Sequence, residues 1–265
     1  MKRFFILIFL VNCIAFADVV TRISSNTYIN WTKGIIVSEY SDNVDFLVGE
    51  GFDRKLLKMK SEVKKKLISE LFFALSKTYF DENRFVEDIF NLFPEKRKSI
   101  VSLFDRTEMV DFRYFGGRVF SKYIVNLYGK DGVFNILRLP LIPRDYREFL
   151  NLSEPLSYTG LIISTKGFVF NISLSTKIIS KSGKIIYSYG DYKGDNRYIH
   201  FFDSLDEAVS SGIFGNSILY TVPVKISGEN YTDIIIDDDV IERLLSNSEN
   251  HRIFFDGLVG IVVSN

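Results

Sequence analysis

Met109-Val110-Asp111-Phe112-Arg113-Tyr114-Phe115-Gly116-Gly117-Arg118-Val119 is the stretch that decides the fold. Here the apolar period becomes two. Val110, Phe112 and Tyr114 point one way, and Gly116-Gly117 turns the chain. Val119, Tyr123, Val125 and Leu127 then sit among polar Ser121, Lys122 and Asn126. That is an antiparallel hairpin. The residues before it have a different period. From 52 to 80, Leu56, Val63, Leu67, Leu71, Leu75 and Tyr79 recur at spacings of four or seven, with Lys58, Glu62, Lys65, Lys66 and Glu70 largely on the other side. This predicts a long amphipathic helix with a broad buried face. A helical period followed by a strand period places the chain in the α+β class, with mostly antiparallel sheets and helices packed on one face.

Working outward, residues 18–49 read as one strand or two short ones broken near Gly34. A second helix is predicted from Asp81, as N-cap, to Phe93. A third starts at Pro94, as proline in a first turn allows. Gly129-Lys130-Asp131-Gly132 is a hairpin signal leading into Val133-Phe134-Asn135-Ile136-Leu137. Residues 138–157 hold three of the five prolines and no clear period. The domain reading is therefore a segment 18–139 with the long helix and the hairpin, a linker 140–157, and a strand-rich segment 158–265. In the last, Ile178-Ile179 and Ile185-Ile186-Tyr187 flank a turn at Gly183, and Tyr220 to Ile226 reads as a strand. Leu258-Val259-Gly260-Ile261-Val262-Val263 is a closing strand whose apolar continuity predicts burial on both faces.

The beginning of the chain predicts a compartment. Met1-Lys2-Arg3 is basic, Phe4 to Val11 is apolar, and Ala15-Phe16-Ala17 precedes Asp18. These are the three regions of a secretory signal peptide over 1–17, with Ala15 and Ala17 read by the peptidase and cleavage before Asp18. The run is too short to span a bilayer. The alternative is lipidation of Cys13, since Leu10-Val11-Asn12-Cys13 resembles a loose lipobox. Cleavage after Ala17 removes the only cysteine, and a disulfide-free secreted chain fits a bacterial periplasm. The expected location is periplasmic, with membrane contact at most peripheral unless Cys13 is lipidated.

Charge removes one class of partner. Lys and Arg total 33 and so do Asp and Glu, leaving no overall basic balance for nucleic acid. Lys64-Lys65-Lys66 reads as a solvated helix face, with an anion or lipid-headgroup site as the alternative. Catalytic patterns are sparse. The two histidines, His200 and His251, lack partners at metal-ligand spacing, and no Gly-x-Ser-x-Gly elbow occurs. Asp237-Asp238-Asp239 lacks the ligand alternation of a calcium loop and reads as helix capping. Neither metal nor cofactor is expected, and no residue is assigned a catalytic role.

Two stretches carry a family likeness. One is Tyr28-Ile29-Asn30-Trp31-Thr32-Lys33-Gly34-Ile35-Ile36 with the long helix from Phe52. The other is Tyr158-Thr159-Gly160-Leu161-Ile162-Ile163-Ser164-Thr165-Lys166-Gly167 with the hairpin at Gly183, Tyr231 to Ile236, and the closing strand. Together they resemble the bacterial envelope family of the lipoprotein-twenty proteins and the N-terminal domain of flagellar assembly protein T. The resemblance implies export, a small α+β fold repeated or extended, and a non-enzymatic scaffold or assembly role toward a protein partner in the envelope, with a flagellar link open. It transfers no active-site residue. A small-ligand or lipid-binding module is the second expectation. A periplasmic hydrolase using His200 or His251 is the third.

Overall fold

Alternation of inward and outward side chains builds the first half. In this computed structural model, which describes residues 17–44, 51–139, 146, 156–194 and 197–263, five strands form one antiparallel sheet. They are β1 (Val20–Arg22), β2 (Thr27–Asn30), β3 (Ile35–Asn43), β4 (Asp111–Phe115) and β5 (Arg118–Asn126), in the order β1-β2-β3-β5-β4. Ile36, Ser38, Tyr123 and Val125 face inward, and Glu39, Ser41, Phe120 and Lys122 face outward, an alternation that β5 keeps along its whole length. Gly34 makes the tight β2–β3 turn, and the Gly116-Gly117 pair makes the β4–β5 turn, both with positive φ.

α1 (Phe52–Ser76) lies on the inner face of this sheet. Val63, Leu67, Leu71 and Leu75, spaced by four, are buried there. One polar knot fixes the helix. The Glu70 carboxylate accepts from Thr27 Oγ1 and from Ser38 Oγ, both at 3.2 Å. α2 (Val86–Leu92) and α3 (Pro94–Arg106) pack beside α1, with Phe72 stacked on Phe90 at 5.0 Å.

Two local expectations are corrected. The second helix begins at Val86 rather than near Asp81. The Asp81 carboxylate accepts from the Asn83 and Arg84 amides and pairs with the Arg84 guanidinium, closing a turn that competes with helix. Val133–Leu137 forms a helix, α4, rather than a strand. β5 is already paired on both sides by β3 and β4, so the segment after Gly132 has no edge to join.

The second half contains β6 (Gly160–Ser164), β7 (Ile178–Ser180), β8 (Ile185–Tyr187), β9 (His200–Phe202), α5 (Leu205–Ser210) and β10 (Ile218–Thr221). It continues with β11 (Lys225–Ser227), β12 (Asp233–Ile236), α6 (Asp238–Leu245), a 3-10 turn at Ser248–His251, α7 (Arg252–Phe255) and β13 (Val259–Val262). One sheet, β10-β6-β13-β9, is parallel throughout. The other, β11-β12-β7-β8, has antiparallel outer pairs around a parallel centre. The chain is α+β with most strand pairs antiparallel. β13 is buried along its whole length, as its apolar run predicts. Tyr220 to Ile226 is not one strand. Pro223 cannot continue a ladder, and the flanking residues enter different sheets as β10 and β11.

The main core runs unbroken from α1 to the parallel sheet. Trp31 meets Phe201 edge-on at 5.8 Å, and Phe134 stacks on Tyr198 at 5.5 Å. A smaller cluster of Ile162, Phe202, Ala208, Phe214 and Val262 fills the opposite face of the parallel sheet. The 140–157 segment read as a linker lies almost wholly outside the described residues. Tyr146 is described, and its hydroxyl donates to the Ile186 carbonyl at 2.8 Å.

Gly34 tests the turn where the halves meet. Its φ is +66°, and an added Cβ would lie 2.8 Å from Tyr128 Cδ2 and 3.0 Å from Arg197 Nε. Left-handed strain and the clash together make Gly34→Ala cost about 2–4 kcal/mol in a urea titration. Gly116→Ala, with φ +59° and open space around it, costs about 1–2 kcal/mol.

Candidate functional site

Three places gather polar side chains. The first is a cleft of about 480 Å³ between the halves. Thr32, Lys33, Gly34, Asn126 and Tyr128 line one wall, and Arg197, His200 and Ile213 the other. Arg197 is the key to its chemistry. Its guanidinium donates to the carbonyls of Trp31, Thr32 and Lys33, at the turn leaving β2. Its charge is thereby absorbed by backbone dipoles, and burial lowers its pKa. Arg197 thus acts as a clamp between halves, joined by Thr32 Oγ1 donating to the Phe201 carbonyl at 3.2 Å.

His200 lies against the Phe202 ring at 6.5 Å and edge-on to Phe214 at 6.0 Å. Burial, with Arg197 adding to it, depresses its pKa to about 4, so the ring is neutral at pH 7. His251 Nε2 lies 3.3 Å from the Leu245 carbonyl, and its ring tilts against Tyr146 at 5.2 Å. Neither histidine forms an ion pair among the described residues. Each has the environment of a packed ring rather than of a base oriented by a carboxylate.

The second place is a buried acid–lysine cluster. Lys177 Nζ pairs with Glu82 and lies 3.5 Å from Asp233 Oδ2, while the Lys177 amide donates to Asp233 Oδ1 at 3.1 Å. Glu82 comes from the loop after α1; Lys177 and Asp233 come from β7 and β12 regions in the other half. Backbone bonds reinforce the contact, with the Asn230 amide donating to the Glu82 carbonyl at 3.0 Å and the Leu174 amide to the Tyr79 carbonyl at 3.0 Å. Asp233 is 1% exposed. Burial pushes its carboxyl up to about 7, with Glu82 adding to the rise and Lys177 opposing it.

The third place is the outer face of the five-stranded sheet. A groove of about 380 Å³ runs over Glu39, Ser41, Asp111, Arg113, Phe120 and Lys122. Glu39 pairs with Lys122 at 2.9 Å, and Asp111 with Arg113 at 2.7 Å. Phe115 is 81% exposed, and the Arg118 guanidinium lies 5.5 Å from the Phe120 ring centre. α1 covers the other face, so this one faces solvent.

The residues singled out by sequence have definite places. Cys13 and Ala15 lie outside the described residues. Ala17 is the first described residue, and Asp18 pairs with Lys33 while accepting from Asn30 Nδ2 at 2.9 Å. Asp237 caps α6, accepting from the Asp239 amide at 3.2 Å. Asp238 accepts from Ser182. No group of three or more His, Cys, Asp or Glu side chains able to hold a metal occurs among the described residues. Sequence reasoning missed Arg197 and the Asp233–Lys177 pair. An aspartate directly ahead of Ile234-Ile235-Ile236 is the one signal that marks Asp233, since an acid at the mouth of a buried strand needs a partner.

These two titrating groups oppose each other in pH. His200 binds its proton less readily when folded, so its contribution to stability is present above about 6.5 and is lost as pH falls toward 4. Asp233 holds its proton more tightly when folded, so its contribution is fullest near pH 4 and is lost as pH rises through about 7. Relative to the parent chain, Asp233→Asn therefore gains stability between pH 5 and pH 8, and His200→Phe gains on going from pH 7 to pH 5. Denaturant midpoints across that range, compared as differences, check both signs.

Comparison with known proteins places part of the chain. No curated protein matches it. Residues 160–265 match the family model for the second domain of Treponema pallidum Tp0624. The match opens at Gly160, the first residue of β6, and takes in both sheets of the second half. This stretch of the chain is thus similar to a domain of a bacterial protein.

Proposed function

We propose that the protein is a non-enzymatic scaffold or assembly factor of the bacterial envelope, exported to the periplasm, that binds a protein partner through the outer face of its five-stranded sheet. The observation that carries this reading is the composition of that face. Exposed Phe115 and half-exposed Phe120 sit among Arg113, Arg118, Asp111 and Glu39. Aromatic and arginine side chains surrounded by charge are the usual anchors of protein interfaces. The domain match supports a bacterial protein, and the resemblance to the lipoprotein-twenty and flagellar assembly protein T family implies the compartment and the role, with a flagellar structure as one candidate partner.

The competing readings have less support. A lipid or small-ligand module needs a sizeable apolar cavity between α1 and the sheet. That interface is filled by Val63, Leu67, Leu71 and Leu75 and crossed by the Glu70 hydrogen bonds. A hydrolase needs an oriented base, and among the described residues neither histidine has a carboxylate partner. With no helix among the described residues long and apolar enough to cross a membrane, attachment falls to the leader, by lipidation at Cys13, or to peripheral contact.

A photo-crosslinking side chain at Phe115 tests the interface in growing cells. It should yield one discrete adduct that the same group at exposed Val209 on α5 does not. The pair Arg113→Glu and Phe115→Glu should lower recovery of that adduct's partner about tenfold or more, as loss of an aromatic–arginine anchor does, with an unchanged thermal midpoint. Identical adducts from both positions, or none at Phe115, would overturn the reading.

A further inference from the structure

The chain is neutral as a whole, but its charge is not evenly spread. Between Phe52 and Lys66, α1 carries seven Lys and Arg against Asp53 and Glu62. α3 adds Lys96, Arg97, Lys98 and Arg106 against Glu95 and Asp105. Both helices lie on one side of the molecule, and they are neighbours. Lys64 Nζ donates to the Asp105 carbonyl at 2.9 Å near one end, and the Arg97 guanidinium lies 5.4 Å from the Phe72 ring centre near the other. The two axes therefore run side by side in opposite directions. Their excess of positive charge is matched by negative charge elsewhere in the chain.

Some of these cations have internal work. Lys60 and Lys66 sit over the Phe112 and Tyr40 rings, and Lys96 donates to the Ile136 and Arg138 carbonyls. Others face solvent. Arg54, Lys55, Lys58, Lys65 and Lys98 are exposed. Among the described residues these five make one ion pair, Lys58 to Glu62, which is long at 3.9 Å, with side chains 80% and 64% exposed. Apolar side chains stand among them, with Leu57 on α1 68% exposed and Val101 on α3 40% exposed.

We propose that this two-helix face docks on an anionic lipid surface. Three features favour lipid over an acidic protein. First, the cations are mostly lysines, point charges on flexible stems, which suit mobile headgroups better than fixed carboxylates. Second, the relief is shallow. The hollow over Pro94, Arg97, Val101 and Arg106 is broad and open, with no buried polar anchor among its lining residues. Third, Leu57 and Val101 project singly between basic side chains, and lysine stems snorkel around such residues at a headgroup boundary. The basic stretch of α1, residues 52–66, presents about 22 Å of such surface. The inference is independent of the partner-binding sheet face, which lies on the opposite side of the sheet from α1 and stays open when the helices are seated.

Vesicle co-sedimentation of the full chain tests it. Binding to phosphatidylcholine vesicles containing phosphatidylglycerol should exceed binding to pure phosphatidylcholine and should fall when salt is raised to about 1 M. Each cation near such a surface contributes about fivefold in partition. The triple variant Lys58→Glu, Lys65→Glu, Lys98→Glu should thus bind at least about tenfold more weakly. Lys166→Glu with Lys225→Glu, exposed cations of the other half, should bind as the parent does. Any contribution of the first sixteen residues is common to all variants and cancels. Circular dichroism confirms that the variants are folded. Equal binding by parent and triple variant, or equal binding to neutral vesicles, overturns the proposal. So does soluble polyglutamate that displaces the chain from the anionic vesicles, binds it more tightly than they do, and binds the triple variant more weakly, because the face then selects an acidic polypeptide.

Discussion

The Arg197 guanidinium against the Trp31-Thr32-Lys33 carbonyls is the contact on which the two halves depend. A half-buried arginine is costly unless its donors are met. Here a sheet turn meets them with three carbonyls. The contact works only because Gly34 adopts a left-handed φ and offers no side chain. Around this polar point the apolar seam closes, with Trp31 on Phe201 and Phe134 on Tyr198. The Glu82–Lys177–Asp233 cluster is a second crossing. Between them they fix the relative position of two segments that each carry their own sheet.

Among the described residues, the charged groups at the junction are engaged in holding the halves together. The lysine holds two carboxylates, the arginine holds three carbonyls, and His200 is confined between aromatic rings. What stays open lies on the outside, as a grooved sheet face with exposed aromatics and a helical face rich in lysine.

Sequence periodicity was a sound guide where one face of an element met water. The period of four in α1, the hairpin at Gly116-Gly117 and the turns at Gly34 and Gly183 were all legible. It failed where competition between local and distant partners decides the outcome. Asp81 has the chemistry of a helix cap but closes a turn with Arg84. Val133–Leu137 looks like a strand but finds both edges of β5 taken. The continuous burial of β13 could be read, yet its parallel neighbours could not, since strand direction depends on which distant segments it joins. The candidate site was the least legible part. Arg197 acts on residues some 165 positions away, and no spacing rule reaches that far.

The place of β13 in its sheet has a kinetic meaning. Val259–Val262 is the last of the described strands, yet it is an interior one, with β6 and β9 on either side. β6 and β9 pair with β13 and not with each other, so the parallel sheet closes only when Val259–Val262 is in place. Pairings across that much chain are slow to form. The second half is therefore a late-closing unit, and without Val259–Val262 two strands lose their common neighbour.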